Sequence, residues 1–213
     1  MQVKIDSAIQ RTPRVMKIES LMDLSASNKE HFDYTFDISK IEQWSLGIIV
    51  GPSGAGKSTI INQLIKQTPQ KPYPEKGDLP LIDWLDKGET EERIEILNSV
   101  GIGSVNLWRR NYDVLSNGEQ HRADLAYSIL HNDLIIFDEF TSVIDRAQAK
   151  SIATALSKTI KRRNKQIILA SCHYDIIDWL EPDWIFQPHK NALSQECLRR
   201  PKIEISVHKT DPT

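Results

Sequence analysis

Gly51-Pro52-Ser53-Gly54-Ala55-Gly56-Lys57-Ser58 decides the reading of this chain. It fits the phosphate-loop pattern G-x-x-x-x-G-K-[ST] at every fixed position. The apolar run Leu46-Gly47-Ile48-Ile49-Val50 leads into it, and Thr59-Ile60-Ile61-Asn62-Gln63-Leu64-Ile65 follows with a helix-like pattern. Strand, loop and helix in that order is the context in which the motif works. Glycines let the backbone curl so that successive N–H groups point at an anion. The helix beginning near Lys57 adds its positive end. Lys57 can reach the β- and γ-phosphates, and the Ser58 hydroxyl can ligate Mg²⁺. Gly51, Pro52, Ser53, Gly54, Ala55, Gly56, Lys57, Ser58 and Thr59 are therefore the expected nucleotide contacts. The bland alternative, a glycine-rich turn without a ligand, leaves Gly56, Lys57 and Ser58 standing where phosphate chemistry wants them by coincidence.

The bulk numbers permit this and exclude little. A chain of 213 residues can bury one sizeable core. A formal net charge of -2 gives no global push toward nucleic acid or anionic membrane. Two cysteines, Cys172 and Cys197, are too few for a disulfide framework, which favours a reducing, cytoplasmic setting. No run of about 18 apolar residues would span a membrane. Met1-Gln2-Val3-Lys4-Ile5-Asp6 does not read as a secretory signal.

Downstream, helical and apolar segments alternate. Residues 1–30 are a peripheral segment in which Val15, Ile18, Leu21 and Leu24 fit either a short helix or irregular strands. Phe32 to Ile38 alternates as a half-buried strand. Thr68 to Pro74 is rich in proline and breaks regular structure. Thr90 to Val100 is helical, with Thr90 a plausible N-cap. A helix is expected over Gly118–His131, a strand over Leu134–Phe137, a helix over Ala147–Arg163 and a strand over Gln166–Ala170. This order points to an α/β sheet with a largely parallel core. One domain is expected over residues 1–187, with a polar and basic tail over 188–213.

Leu134-Ile135-Ile136-Phe137 ends in Asp138-Glu139. A carboxylate at the end of a buried strand beside a phosphate loop suits Mg²⁺ through its water shell, so Ser58 and Asp138 are the expected metal contacts. Glu139 would polarise a water at the γ-phosphate. Taken alone, the pair is as common as surface acids at a strand end.

Leu115-Ser116-Asn117-Gly118-Glu119 opens a helix about twenty residues before Asp138. Ser116 and the Gly118 N–H at a helix start form an anion site, although an ordinary serine cap gives the same residues. With this stretch the chain resembles the ABC-type ATPases, whose signature reads LSGGQ with variants ending in Glu. Asp145 after Glu139 and His173 after the strand ending at Ala170 match that family's D-loop and switch histidine. The resemblance spans about Asp33 to His173. It implies a P-loop NTPase fold of ABC-ATPase type: a mostly parallel core sheet flanked by helices, an antiparallel subsheet and a reduced helical subdomain. It also implies ATP and Mg²⁺ as cofactors, with Lys57, Glu139 and His173 catalytic. Leu115, Ser116, Asn117, Gly118 and Glu119 would close over the nucleotide of a second copy, in an ATP-dependent homodimer with Asp145 at the seam.

Two departures matter. Only about 56 residues separate Ser58 from Leu115, and Gln70 in a Pro-rich turn is the sole weak candidate for the family's glutamine loop. Glu75, Asp78 and Asp83 are weaker substitutes as metal-facing oxygens. Tyr34 and Phe32 are candidates for adenine stacking or simply sheet core. Trp108-Arg109-Arg110-Asn111-Tyr112, Asp138 to Arg146 and Cys172 to Trp184 resemble a smaller group of soluble bacterial and phage ABC-type ATPases, some of whose members are fused to an acetyltransferase-like domain. An acetyltransferase would then act in trans. The cluster Lys158, Lys161, Arg162, Arg163 and Lys165 reads as cations at a helix end, with a nucleic-acid contact as the sharper alternative. Trp108 is expected to be packed, and Cys172 to be a small buried residue. The leading expectation is a soluble ATPase switch. A transporter's energising subunit, with a membrane partner, comes second, and a nucleotide-gated module without turnover third.

Overall fold

The computed structural model describes residues 2–8, 10–24, 29–35, 37–38, 41–75, 77–141 and 145–195. Its five-stranded sheet has the order β4-β5-β3-β6-β7. Strands β3 (Leu46–Val50), β4 (Leu134–Phe137), β5 (Gln166–Ser171) and β6 (Trp184–Gln187) run parallel, and β7 (Ala192–Ser194) pairs antiparallel with β6. A separate antiparallel pair joins β1 (Gln2–Ala8) to β2 (Lys29–Thr35). The expected fold class is the one observed. The expected tail begins with a 3-10 turn at Pro188–Lys190 and then β7, so the sheet continues past residue 187.

Strands β3 and β4 are covered on both faces, which is why they are runs of apolar residues and glycine. Leu46, Ile48 and Val50 face one core cluster, shared with α4 (Thr90–Ser99), α6 (Asn117–His131) and α7 (Arg146–Arg162). Ile49 faces the other, with Ile60, Ile61 and Leu64 of α2 (Lys57–Gln67). Gly47 is fixed by its neighbour across the sheet. A Cβ there would lie 2.0 Å from the fully buried ring of Trp184, so this point of β3 admits no side chain.

Several local expectations need correction. The N-cap of α4 is Glu89 rather than Thr90, which is the first helical residue, and no side chain caps it. The helix closes instead at its other end, where Gly101 adopts φ 82°. Its N–H donates to Asn98 O at 3.1 Å and that of Ile102 to Leu97 O at 2.8 Å, a Schellman closure. The N-terminal segment holds both a strand, β1, and a helix, α1 (Pro13–Leu21). That helix buries nothing: Ile18 is 54% and Leu21 73% exposed.

Between the phosphate loop and α6 lie α3 (Leu81–Trp84), α4 and α5 (Val105–Trp108), a small helical unit as expected. Trp84 stacks on Tyr112 with centroids 4.5 Å apart. The Tyr112 hydroxyl donates to Asp124 at 2.8 Å; burial and that carboxylate push its pKa up. Trp108 packs against the core and donates from Nε1 to Ile102 O at 2.7 Å, as its packing reading required. Three residues of the basic cluster have partners within the chain. Arg162 pairs with Glu95, Arg163 with Glu92 and Glu95, and Lys165 donates to Asn132 O at 2.7 Å.

Candidate nucleotide site

The loops after β3, β4 and β5 meet at the carboxyl edge of the sheet, where open α/β folds bind ligands. There a cleft of about 290 Å³ is lined by Ser53, Gly54, Gly56, Lys57, Ser58 and Thr59 on one side, facing Glu139, Thr141, Ser171 and Cys172. Gly54 and Gly56 take φ 78° and 80°, the left-handed turns that curl the loop. Gly56 is also the N-cap of α2. No side chain caps this helix and no acid stands in its first turn, so its amides are free of competing carboxylates. Lys57 arches over the loop, with Nζ donating to Gly51 O at 2.9 Å and Pro52 O at 2.8 Å.

Glu139 is exposed in the cleft at φ 52°, and its N–H donates to Asp138 Oδ1 at 2.9 Å. Asp138 stands half-buried, one residue behind it at the end of β4. Ser58 in the cleft and one carboxylate at the strand end fit Mg²⁺ held mainly by phosphate oxygens and water. Among the described residues no group of three or more His, Cys, Asp or Glu side chains gathers as a metal cage.

His173 lies beside this site. Its Nδ1 is 2.8 Å from Thr141 Oγ1, which is 2.8 Å from Ser171 Oγ, and its own N–H donates to Ser171 Oγ at 3.1 Å. Burial, and secondarily the Arg146 cation, hold its imidazole below the ordinary histidine range. That shift favours the neutral ring, which can donate or accept at the cleft. Thr141 and Ser171 escaped the sequence reading; their signal was position, at or just past the carboxyl ends of parallel strands. Cys172 corrects an expectation: it is exposed and lines the cleft. A residue just past a strand's carboxyl end emerges from the sheet, and thiol chemistry alone does not reveal that.

The signature residues lie at the start of α6. Leu115 is buried, and Ser116 is the N-cap of a complete capping box. Its hydroxyl accepts from Glu119 N at 3.4 Å and donates to Glu119 Oε2 at 2.9 Å, while its N–H donates to the same oxygen at 2.8 Å. That last bond chiefly holds the Glu119 carboxyl below the usual range. Asn117 and Gly118 form the first turn. None of these five lines the cleft of its own chain. Asp145 precedes α7 without a side-chain capping bond, and the D-loop residues 142–144 lie outside the described residues.

Gln70 is occupied elsewhere. Its Oε1 accepts from Ile136 N at 3.3 Å and its Nε2 donates to Thr68 O at 3.0 Å, so it borders β4. Glu75, Asp78 and Asp83 are absent from the cleft lining, and Asp83 lies 4.0 Å from Arg93. The side chains of Phe32 and Tyr34 lie outside the described residues, as do Cys197 and the basic residues Arg199, Arg200 and Lys202.

Comparison with known proteins agrees with this geometry. A family model described as 50S ribosome-binding GTPase matches residues 47–172. That window is the phosphate-loop core, which GTP- and ATP-hydrolysing proteins share. Among curated relatives, a probable metal transport system ATP-binding protein of Chlamydia muridarum is 27% identical, over 70% of this chain and 71% of its own length. A manganese transport system ATP-binding protein of Bacillus subtilis is 26% identical, over 77% of this chain and 84% of its own. Among solved structures, a dimeric bacterial ABC transporter cassette superposes with TM-score 0.53 at 16% identity, covering 75% of this chain and 89% of that one. A cobalt transport ATP-binding protein superposes with TM-score 0.57 at 15% identity, covering 79% and 73%. The narrower likeness to acetyltransferase-linked proteins gains no support from these matches. With its phosphate loop, strand-end carboxylates and capped signature helix in one fold, the chain belongs to the phosphate-loop NTPases and has the fold of the ABC-type ATPases.

Proposed function

We propose that this chain is the ATP-hydrolysing subunit that energises a transporter, with a metal ion as the transported class. The relatives' names support the transporter over the soluble switch that the sequence put first. Hydrolysis itself rests on one observation: Lys57 and Ser58 face Glu139 across a single cleft. ATP would lie with its phosphates over the loop amides, and Lys57 would turn from the Gly51 and Pro52 carbonyls to the β- and γ-oxygens. Thr59 follows on the nucleotide side. Glu139 accepts a proton from the attacking water, and His173, fixed by Thr141 and Ser171, holds that water in line. Mg²⁺, held by Ser58 and through water by Asp138, would supply charge neutralisation at the phosphates.

Two copies would close head to tail, each presenting Ser116 and Gly118 to the γ-phosphate of its twin across Asp145. A membrane permease would be the further partner, placing the subunit at the cytoplasmic face. The soluble-switch reading keeps one observation in its favour: Gln70, the only candidate for the coupling glutamine, is engaged at β4. An acetyltransferase or nucleic acid would be partners only under that reading, and Arg162, Arg163 and Lys165 are already engaged.

Phosphate release with ATP and with GTP, run in parallel, tests turnover and nucleotide choice. Glu139→Gln is expected to lower turnover by roughly a hundredfold and to trap an ATP-bound dimer on size-exclusion chromatography. A Glu139→Gln protein that stays monomeric at saturating ATP counts against the dimer. Co-purification of the trapped protein with an integral membrane protein separates the transporter from the soluble switch.

A further inference from the structure

Glu139 must be aimed, and its own turn does not explain how. At φ 52° it holds a left-handed backbone, which a non-glycine residue keeps only where its surroundings impose it. Two of the constraints lie within the sheet edge: Glu139 N–H donates to Asp138 Oδ1 at 2.9 Å, and Phe140 N–H to Ala170 O at 3.1 Å. A third comes from a different element. His121 of α6 places Nε2 3.3 Å from the Glu139 carbonyl oxygen, with its ring centroid 4.7 Å from that of Phe137. A carbonyl oxygen only accepts, so Nε2 carries the hydrogen.

The helix that supplies this contact is itself pinned. Glu119 and Ser116 close its first turn, and Gln120 Nε2 donates to Tyr112 O at 3.1 Å. His121 thus stands on a fixed base, one turn beyond Ser116. We propose that His121 is a positioning residue for hydrolysis: its hydrogen bond to the Glu139 carbonyl sets the turn that aims the carboxylate at the attacking water. The same helix carries the serine expected to read the twin's γ-phosphate. Displacement of the helix tip when the dimer closes would therefore reach the water-activating residue of the same chain through one side chain. This inference rests on the reading of Glu139 as the water-activating base.

The competing explanation is that His121 merely packs on Phe137, and two substitutions separate donor from ring. His121→Gln keeps an N–H of similar reach and loses the aromatic contact. His121→Phe keeps the ring and loses the donor. Hydrogen-bond control predicts that His121→Gln retains kcat within about threefold, while His121→Phe loses about tenfold. ATP affinity, measured with a non-hydrolysable analogue, and melting temperature should be unchanged in both. Backbone exchange at residues 138–141 should quicken only in His121→Phe. Should that variant fail to fold, His121→Met makes the same comparison. A His121→Phe enzyme as fast as wild type, or a His121→Gln enzyme as slow as His121→Phe, overturns the proposal and leaves the ATPase reading standing. A wild-type protein whose turnover Glu139→Gln does not change overturns both.

Discussion

The two helices expected to grip the triphosphate begin in opposite ways. Helix α2 starts from a left-handed glycine with no side-chain cap and no acid in its first turn. Helix α6 starts from Ser116, whose hydroxyl and N–H are both committed to Glu119. An uncapped N-terminus leaves amides for an external anion, whereas a capping box supplies a carboxylate from within. The first is ready for phosphate as it stands. The second holds an internal substitute, and a γ-phosphate arriving from a twin would compete with Glu119 for the serine. On the proposed reading, the loop side would serve affinity and the signature side conditional closure.

Substitutions at each end should break this contrast to different degrees. Removing the cation at the open end has the largest expected effect. Lys57→Ala should lower hydrolysis by a hundredfold or more, on the order of losing a main charge-stabilising donor, and should abolish ATP-dependent dimerisation on a sizing column. At the capped end, Ser116→Ala should cost about 1 kcal/mol of stability through the lost cap, read as a lower melting temperature. The same variant should retain nucleotide affinity while its ATP-dependent dimer weakens. An equal loss of nucleotide affinity would mean that the two helix ends do not serve different copies. Glu119→Gln should sharpen the contrast with the smallest effect. With the internal charge gone, half-maximal dimerisation should need roughly two- to fivefold less ATP, the scale of one charge at a helix end.

The open end was legible and the capped end only half so. Gly54, Gly56, Lys57 and Ser58 announce themselves because phosphate binding demands those residue types at fixed spacing. The alternation of apolar strands with helices gave the sheet, since both of its faces had to be covered. Ser116 carried two readings, cap and phosphate reader; its place before Asp138 favoured the second, and the structure shows the first, because the same hydroxyl can serve both. Thr141, Ser171 and His121 were missed for a different reason. Their contacts depend on which strand ends and helix turns become neighbours, and no local pattern encodes that. Thr90 went wrong because a side chain suited to capping is not obliged to cap when tertiary packing fixes where the helix begins.

Strand β4 lies at the rim of the sheet, four residues long, with Asp138 and Glu139 just past its tip. A bare rim of this kind invites a stray chain to pair with it. Gln70 takes the amide at Ile136, and Lys71 N–H is anchored to Asn132 Oδ1 at 2.9 Å, so the proline-rich connection runs as a guard rail beside the strand. A segment that looks like mere linkage after α2 thereby occupies part of the edge with which another chain could otherwise pair.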